Sequence, residues 1–230
     1  MLAPAKLTRS LRVVGVRPDG MHLIEAEMVT IDLADTLTFT EGDGLELIGG
    51  GADVSAGDDN LVRRALAAVG RTARVRLDKR IPSGAGLGGG SADAAAVLRW
   101  AGETDRSLAA ALGADVPFCL LGGRARVTGM GECLEPLAFL PITFTLLTPP
   151  VSCATATVYR AWDNLGGPRA QGPNDLEPAA LAVAPELAYW RDRLGDATGH
   201  TPVLTGSGST WFVEGAYEGD GFVVAHTLRA

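Results

Sequence analysis

The stretch PSGAGLGGGSADAAAVL, from Pro82 to Leu98, carries the most specific chemistry in the chain. Glycines at 84, 86, 88, 89 and 90 let the backbone take positive φ and approach a ligand without Cβ interference, so that amide hydrogens can converge on an anion. Ser91 is expected to open an alanine-rich helix running to about Ala101, whose unpaired N–H groups and positive dipole end add to the attraction. The chemistry implied is the cradling of a phosphate chain. Each ordered glycine forfeits about 0.5–1 kcal/mol relative to alanine, which argues against a turn that merely packs. The loop holds no GxxxxGK[ST], which excludes a Walker loop here. Gly84, Gly86 and Gly89 satisfy GxGxxG, but Glu103 and Asp105 lie in a polar break after a helix, not at the end of a second strand. A dinucleotide-binding oxidoreductase therefore rests on the glycines alone.

Such a loop needs a strand before it and a frame around it. Thr72 to Asp78 alternates apolar Ala73, Val75 and Leu77 with polar neighbours, as a half-buried strand does. Upstream, a helix is expected at Asn60 to Val69, with Asn60 as N-cap and Asp58 and Asp59 near its positive end. Short strands precede it at Leu11 to Val16, Met28 to Leu33, Thr36 to Thr40 and Leu45 to Ile48, separated by Pro-Asp-Gly, Ala-Asp and Gly-Asp-Gly turns. After the loop, a helix at Arg106 to Leu112 is stopped by Gly113, and Pro117 is expected to prevent its resumption. Prolines at 136, 141, 149 and 150 then surround a strand at Thr143 to Leu147, and a domain boundary is placed near Pro141, giving domains 1–140 and 141–230. Helices at Thr155 to Leu165 and Pro185 to Leu194 follow. A TGSGS turn then leads to strands Thr210 to Glu214 and Phe222 to Thr227. Disorder is expected only around Gly166 to Gly172. The order of elements predicts two α+β lobes packed together.

The bulk properties narrow the partners. With 230 residues, 47% of them hydrophobic, and a formal charge of -7, the chain reads as a globular protein without electrostatic attraction for nucleic acid or anionic membrane. Cys119, Cys133 and Cys153 form no CxxC pair and are read as reduced, buried thiols of a cytoplasmic protein. The opening MLAPAKLTRS lacks the apolar core of a signal peptide, and no apolar run approaches membrane-spanning length.

Five further segments align with the glycine loop: APAKL at Ala3 to Leu7, RPDGMH at Arg17 to His22, NLVRRA at Asn60 to Ala65, GADVPF at Gly113 to Phe118, and GSGST at Gly206 to Thr210. Together they resemble the GHMP kinases, and their order is similar to the family of 4-diphosphocytidyl-2-C-methyl-D-erythritol kinases. Those typically read PAKINL, DGYH, PxxAGLGGGSSDAA and LGADVPF. The resemblance spans about Ala3 to Phe212. It implies a two-lobed α+β fold of mixed and antiparallel sheets with the active site in the cleft. It also implies ATP as phosphoryl donor, Mg²⁺ as companion ion, and a small cytidylylated polyol as acceptor, handled by a monomer or weak homodimer.

Carried over by position, the resemblance makes Lys6 and Asp115 the catalytic pair. It lays the ATP phosphates over Pro82, Ser83, Gly84, Ala85, Gly86, Leu87, Gly88, Gly89, Gly90, Ser91 and Ala92, with Asn60 and Lys79 near the base and ribose. Ser91 is placed where a metal ion could be met; the metal ligands are otherwise open. His22, Thr155 and Tyr159 match positions at the cytidine end. The pattern breaks at Thr8, where the family has asparagine, at Met21, where it has tyrosine, and at Arg9 and Ser10, which interrupt an apolar run. Thr8 offers a short hydroxyl where an amide would both donate and accept, and Met21 lacks a flat stacking face. These changes leave two alternatives open beside the leading one: a GHMP kinase for another small alcohol, and a nucleotide-binding relative without turnover.

Overall fold

The computed structural model describes residues 1–49 and 55–230. Strands β1 (Leu2–Val16) and β2 (His22–Thr40) pair antiparallel along most of their length, with the register shifting at three places. Around β2 grows the first sheet, in the order β3 (Gly44–Gly49), β4 (Arg74–Lys79), β2, β5 (Arg124–Gly129), β6 (Cys133–Pro136), with β1 on β2. Only β3 and β4 run parallel, and α1 (Leu61–Ala68) lies in the connection between them. The second sheet, β10 (Phe222–His226), β7 (Thr143–Leu147), β9 (Trp211–Glu214), β8 (Val203–Leu204), is antiparallel throughout.

The helix after the glycine loop, α2 (Gly89–Ala101), explains its alanines. Every residue from Ala92 to Leu98 is buried, so the helix is enclosed on all sides, between β1 and helices α1 and α4 (Val116–Leu121). Small side chains allow that close approach. Helix α3 (Arg106–Leu112) completes this layer. Helices α5 (Thr155–Asn164), α6 (Glu177–Val183) and α7 (Leu187–Thr198) accompany the second sheet. One apolar cluster joins Leu7, Ile31, Leu77 and Leu98 to Phe144 and Phe212, and another joins Leu11 and Ile24 to Val158 and Trp211. Both cores thus draw on both sheets, and no helix among the described residues is long and apolar enough to cross a membrane.

Several local expectations are corrected. Met28 to Leu33 and Thr36 to Thr40 are parts of one strand, β2, without the turn at Ala34-Asp35. Asp35 is fully buried because its carboxylate accepts from the backbone N–H groups of Arg80 (2.5 Å) and Ile81 (2.8 Å) and from the Lys79 ammonium. Pro117 does not block a helix: it sits in the first turn of α4, where its missing N–H has no intrahelical partner to lose. Helix α2 starts at Gly89, two residues before Ser91, with Gly88 as N-cap at φ +68°. Cys133 is exposed, whereas Cys119 and Cys153 are buried. The stretch around Gly166 to Gly172 is tied down, through Trp162 Nε1 donating to the Pro168 carbonyl (3.0 Å) and Ala170 N–H donating to Asp175 (3.1 Å). Strands β5, β6 and β8 and helix α6 have no counterpart among the expected elements.

Candidate active site

Between the sheets lies a cavity of about 850 Å³. Its floor is the glycine loop. Gly84, Gly86 and Gly88 have φ of +64°, +76° and +68°, and each is crossed at close range by another part of the chain. A Cβ on Gly84 would stand 2.0 Å from Ser152 Oγ, and one on Gly86 would stand 2.2 Å from the Thr205 carbonyl oxygen. The loop is pinned from the other half of the chain, since Cys153 N–H donates to the Gly84 carbonyl (3.0 Å) and Thr210 N–H donates to that of Ala85 (3.1 Å). Gly89, Gly90 and Ser91, whose first-turn amides have no intrahelical acceptor, line the same cavity.

Lys6 enters from β1. Its backbone N–H donates to the Leu87 carbonyl (3.0 Å), and its stem passes the bare α-carbon of Gly88, where a Cβ would meet Lys6 Cγ at 2.8 Å. On the other side, a Cβ on Gly206 would lie 3.1 Å from Lys6 Nζ. The ammonium is therefore threaded between both glycine turns. It donates to Thr8 Oγ1 at 3.1 Å and faces Asp115 Oδ2 at 3.5 Å. Asp115 is the N-cap residue of α4 yet makes no capping hydrogen bond. An aspartate that caps takes an extended backbone and binds an N2 or N3 amide, whereas Asp115 is helical at φ -87°, ψ -11°, and Pro117 removes the N2 amide. The carboxylate is left for the cavity, a third of it exposed, while Lys6 is buried. Burial, with Asp115 adding to it, raises Tyr159 above its usual range and pushes the Cys119 thiol up to about 12, so both stay protonated.

The far end of the cavity is built by β2 and α5. His22, the first residue of β2, lies beside three side chains of α5: its ring centroid is 4.5 Å from that of Tyr159 and 5.6 Å from that of Trp162, and its Nε2 is 2.8 Å from Asp163 Oδ1. Met21 lines the same end and is about half exposed. Thr155 Oγ1 lies 3.1 Å from Ser207 Oγ.

Of the residues singled out in the sequence, Lys6, Thr8, Met21, His22, Asn60, Lys79, Asp115, Thr155, Tyr159 and the segment from Pro82 to Ser91 other than Leu87 all line this one cavity. Leu87 and Ala92 instead bury their side chains in the core. Asn60 caps α1, accepting from Val62 N–H (2.9 Å) and donating to the Ser55 carbonyl (2.7 Å). Lys79 is buried, its ammonium held by Asp35 and by Asp93 Oδ2 (2.8 Å), so it offers no free cation. Burial alone would lower that ammonium, but the two carboxylates outweigh it and raise it. For Asp93, burial pushes the carboxyl up to about 7, with Lys79 opposing the rise and Asp35 adding to it. Asp93 and Asp163 line the cavity and escaped the sequence reading. Asp163 could have been found as one helical turn beyond Tyr159; nothing local marks Asp93.

Known proteins resemble this chain in sequence and in fold. The family model for the GHMP kinases N terminal domain matches residues 60–123. A 4-diphosphocytidyl-2-C-methyl-D-erythritol kinase of Cereibacter sphaeroides is 39% identical, the match covering 99% of this chain and 93% of that protein. One of Paracoccus denitrificans is also 39% identical, over 91% of this chain and 84% of that protein. A crystal structure of a 4-(cytidine 5'-diphospho)-2C-methyl-D-erythritol kinase superposes with a TM-score of 0.79 at 34% identity, covering 99% of this chain and 98% of the other. Mevalonate kinase of Methanococcus jannaschii, at 12% identity and a TM-score of 0.57, shares the fold. The two-lobed α+β architecture is that of the GHMP kinases, and this chain belongs to their 4-diphosphocytidyl-2-C-methyl-D-erythritol kinase family.

Proposed function

We propose that this chain is an ATP-dependent kinase that phosphorylates the 2-hydroxyl of 4-diphosphocytidyl-2-C-methyl-D-erythritol. The products are the 2-phosphate and ADP, and the step belongs to non-mevalonate isoprenoid precursor synthesis. The observation that carries this reading is the meeting of Lys6 and Asp115, 3.5 Å apart, at the edge of the glycine cradle. Phosphoryl transfer asks the protein mainly for in-line positioning and charge neutralisation, with a carboxylate to take the hydroxyl proton. In this reading Asp115 is that base, and Lys6 faces the developing negative charge. Thr8, turned toward Lys6 Nζ, supports the lysine in place of the family's asparagine.

The cradle from Pro82 to Ala92 is assigned to the ATP phosphates, held by backbone amides, with Asn60 and Lys79 walling the base and ribose side. Lys79 keeps its charge, but Asp35 and Asp93 already pair it. Among the described residues no group of three or more His, Cys, Asp or Glu side chains is placed to hold a metal ion. Ser91, which lines the cavity at the start of α2, is the side chain that would hold Mg²⁺ beside the nucleotide, where the ion would neutralise phosphate charge. Met21, His22, Thr155 and Tyr159 are assigned to the cytidylyl end. We place the protein in the cytoplasm as a monomer or weak homodimer, with kinase lobes at 1–140 and 141–230 and with no nucleic acid or membrane partner.

An ADP-release assay with the cytidylylated substrate, beside mevalonate and galactose, tests this. Turnover with the first is expected. Turnover with a competitor alone would overturn the assignment, and a thermal shift with NAD but none with ATP would favour an oxidoreductase.

A further inference from the structure

We infer that Asp163 is a positioning residue that fixes the tautomer of His22 and thereby makes the cavity's far end read an amino group, not a carbonyl, on the ligand's base. The inference rests on the substrate assignment above. His22 Nε2 lies 2.8 Å from Asp163 Oδ1. A carboxylate can only accept, so the proton of the neutral ring sits on Nε2 and Nδ1 keeps its lone pair. His22 Nδ1 makes no hydrogen bond among the described residues. The imidazole is also fixed in place: Tyr159 covers a face at 4.5 Å between centroids, tilted 33°, and Trp162 meets it at 5.6 Å nearly edge-on.

The Nδ1 lone pair lies in the ring plane, so it addresses a ligand from the ring's edge. The edge left over presents an acceptor. A cytosine-type base offers an exocyclic N–H at C4, whereas a uracil-type base has a carbonyl there and would set lone pair against lone pair. Sites built to pair with a ligand's donor reject analogues lacking it far more strongly than apolar walls do. The neighbouring Met21, with its adaptable thioether, supplies contact without donor or acceptor direction. The Arg160 guanidinium and the Thr155 hydroxyl line the cavity too, the first donating only and the second able to donate or accept, so the acceptor with a fixed direction is His22 as Asp163 sets it.

The test is Asp163→Asn, assayed with the cytidine-diphospho substrate and its uridine counterpart. An amide can either accept from Nε2 or donate to it, so it preserves the bridge to α5 while releasing the tautomer. We expect the ratio of kcat/KM for cytidine over uridine to fall by roughly tenfold or more, with the KM for ATP unchanged. A ratio equal to wild type, or equal losses on both substrates, would show a merely structural bridge and overturn the inference. Imidazole ¹⁵N shifts in the unliganded protein, at a pH where the ring is neutral, give a readout without turnover. An Nε2–H ring in wild type and a mixture in Asp163→Asn are expected; an Nδ1–H ring in wild type would overturn the proposal. If wild type turns over neither nucleotide substrate, the functional reading fails, while the ¹⁵N result still decides the tautomer.

Discussion

Asp115 and Asp93 are two acidic residues set at the same cavity under opposite constraints. Asp115 keeps a partly solvated carboxylate that faces Lys6, because its helical backbone and Pro117 take it out of capping geometry. Replacing it with Asn should keep the fold and ATP binding while lowering kcat by roughly 10² or more, checked by single-turnover ADP release beside nucleotide titration. Asp93 is enclosed, and its Oδ1 has no partner among the described residues. Its raised pKa means the folded protein holds a proton that the unfolded chain has lost, so stability from this group falls as pH rises from about 4 to about 7. Asp93→Asn removes that titration. Urea denaturation should find the variant more stable than wild type at pH 8 by about 1 kcal/mol or more, with the gap shrinking toward pH 4. Neither environment was visible locally. GADVPF marked Asp115 through resemblance, but the carboxylate pair at Lys79 is brought together across 44 and 14 residues of sequence.

At the scale of elements, the glycine loop shows how conformation and clearance combine. Gly88 and Gly102 bracket α2, both with positive φ, at +68° and +75°. Gly102 has nothing within 4 Å of a would-be Cβ, whereas Gly88 has the stem of Lys6. Alanine at either position should cost about 1 kcal/mol in backbone strain. Only Gly88→Ala should also displace the lysine, lowering kcat/KM at least tenfold, while Gly102→Ala keeps wild-type rates in the same assay. Elements with strong local signals were legible: β7 falls on Thr143–Leu147 as expected, α1 starts after its Asn60 cap, and α5 begins at Thr155. The failures share a cause. The carboxylate of Asp35 in mid-strand resembles a turn until its partners at the end of β4 and just beyond it are known, and Pro117 resembles a stop until α4 is seen to begin beside it. Both are settled by contacts that periodicity does not encode.

Across the molecule, the departure at Arg9 takes on a role. From β1 its guanidinium reaches Glu27 on β2 and Glu214 on β9 (2.6 Å), joining the two sheets, and Arg124 reinforces Glu27 at 2.9 Å. Burial opposes the charge on Arg9, but Glu214 and Glu27 outweigh it and raise its pKa; Glu27 is lowered in turn by Arg124 and Arg9 against its own burial. Arg9→Ala should lower stability by about 1 kcal/mol, or roughly 2–4 °C in Tm, with the loss smaller in 1 M salt than at low ionic strength. Equal losses at both salt concentrations would point to packing of its stem instead. An arginine inside an otherwise apolar run looked like a defect in a motif. It spans the join between the sheets.

The glycine loop has two of its carbonyls, those of Gly84 and Ala85, tied to amides of Cys153 and Thr210 from beyond the first sheet. Anyone recombining such chains with their relatives therefore faces a constraint on where to cut. A chimera that takes residues 82–92 from one parent and residues 152–153 and 205–210 from another inherits a mismatched clasp, however well each parental half packs within itself.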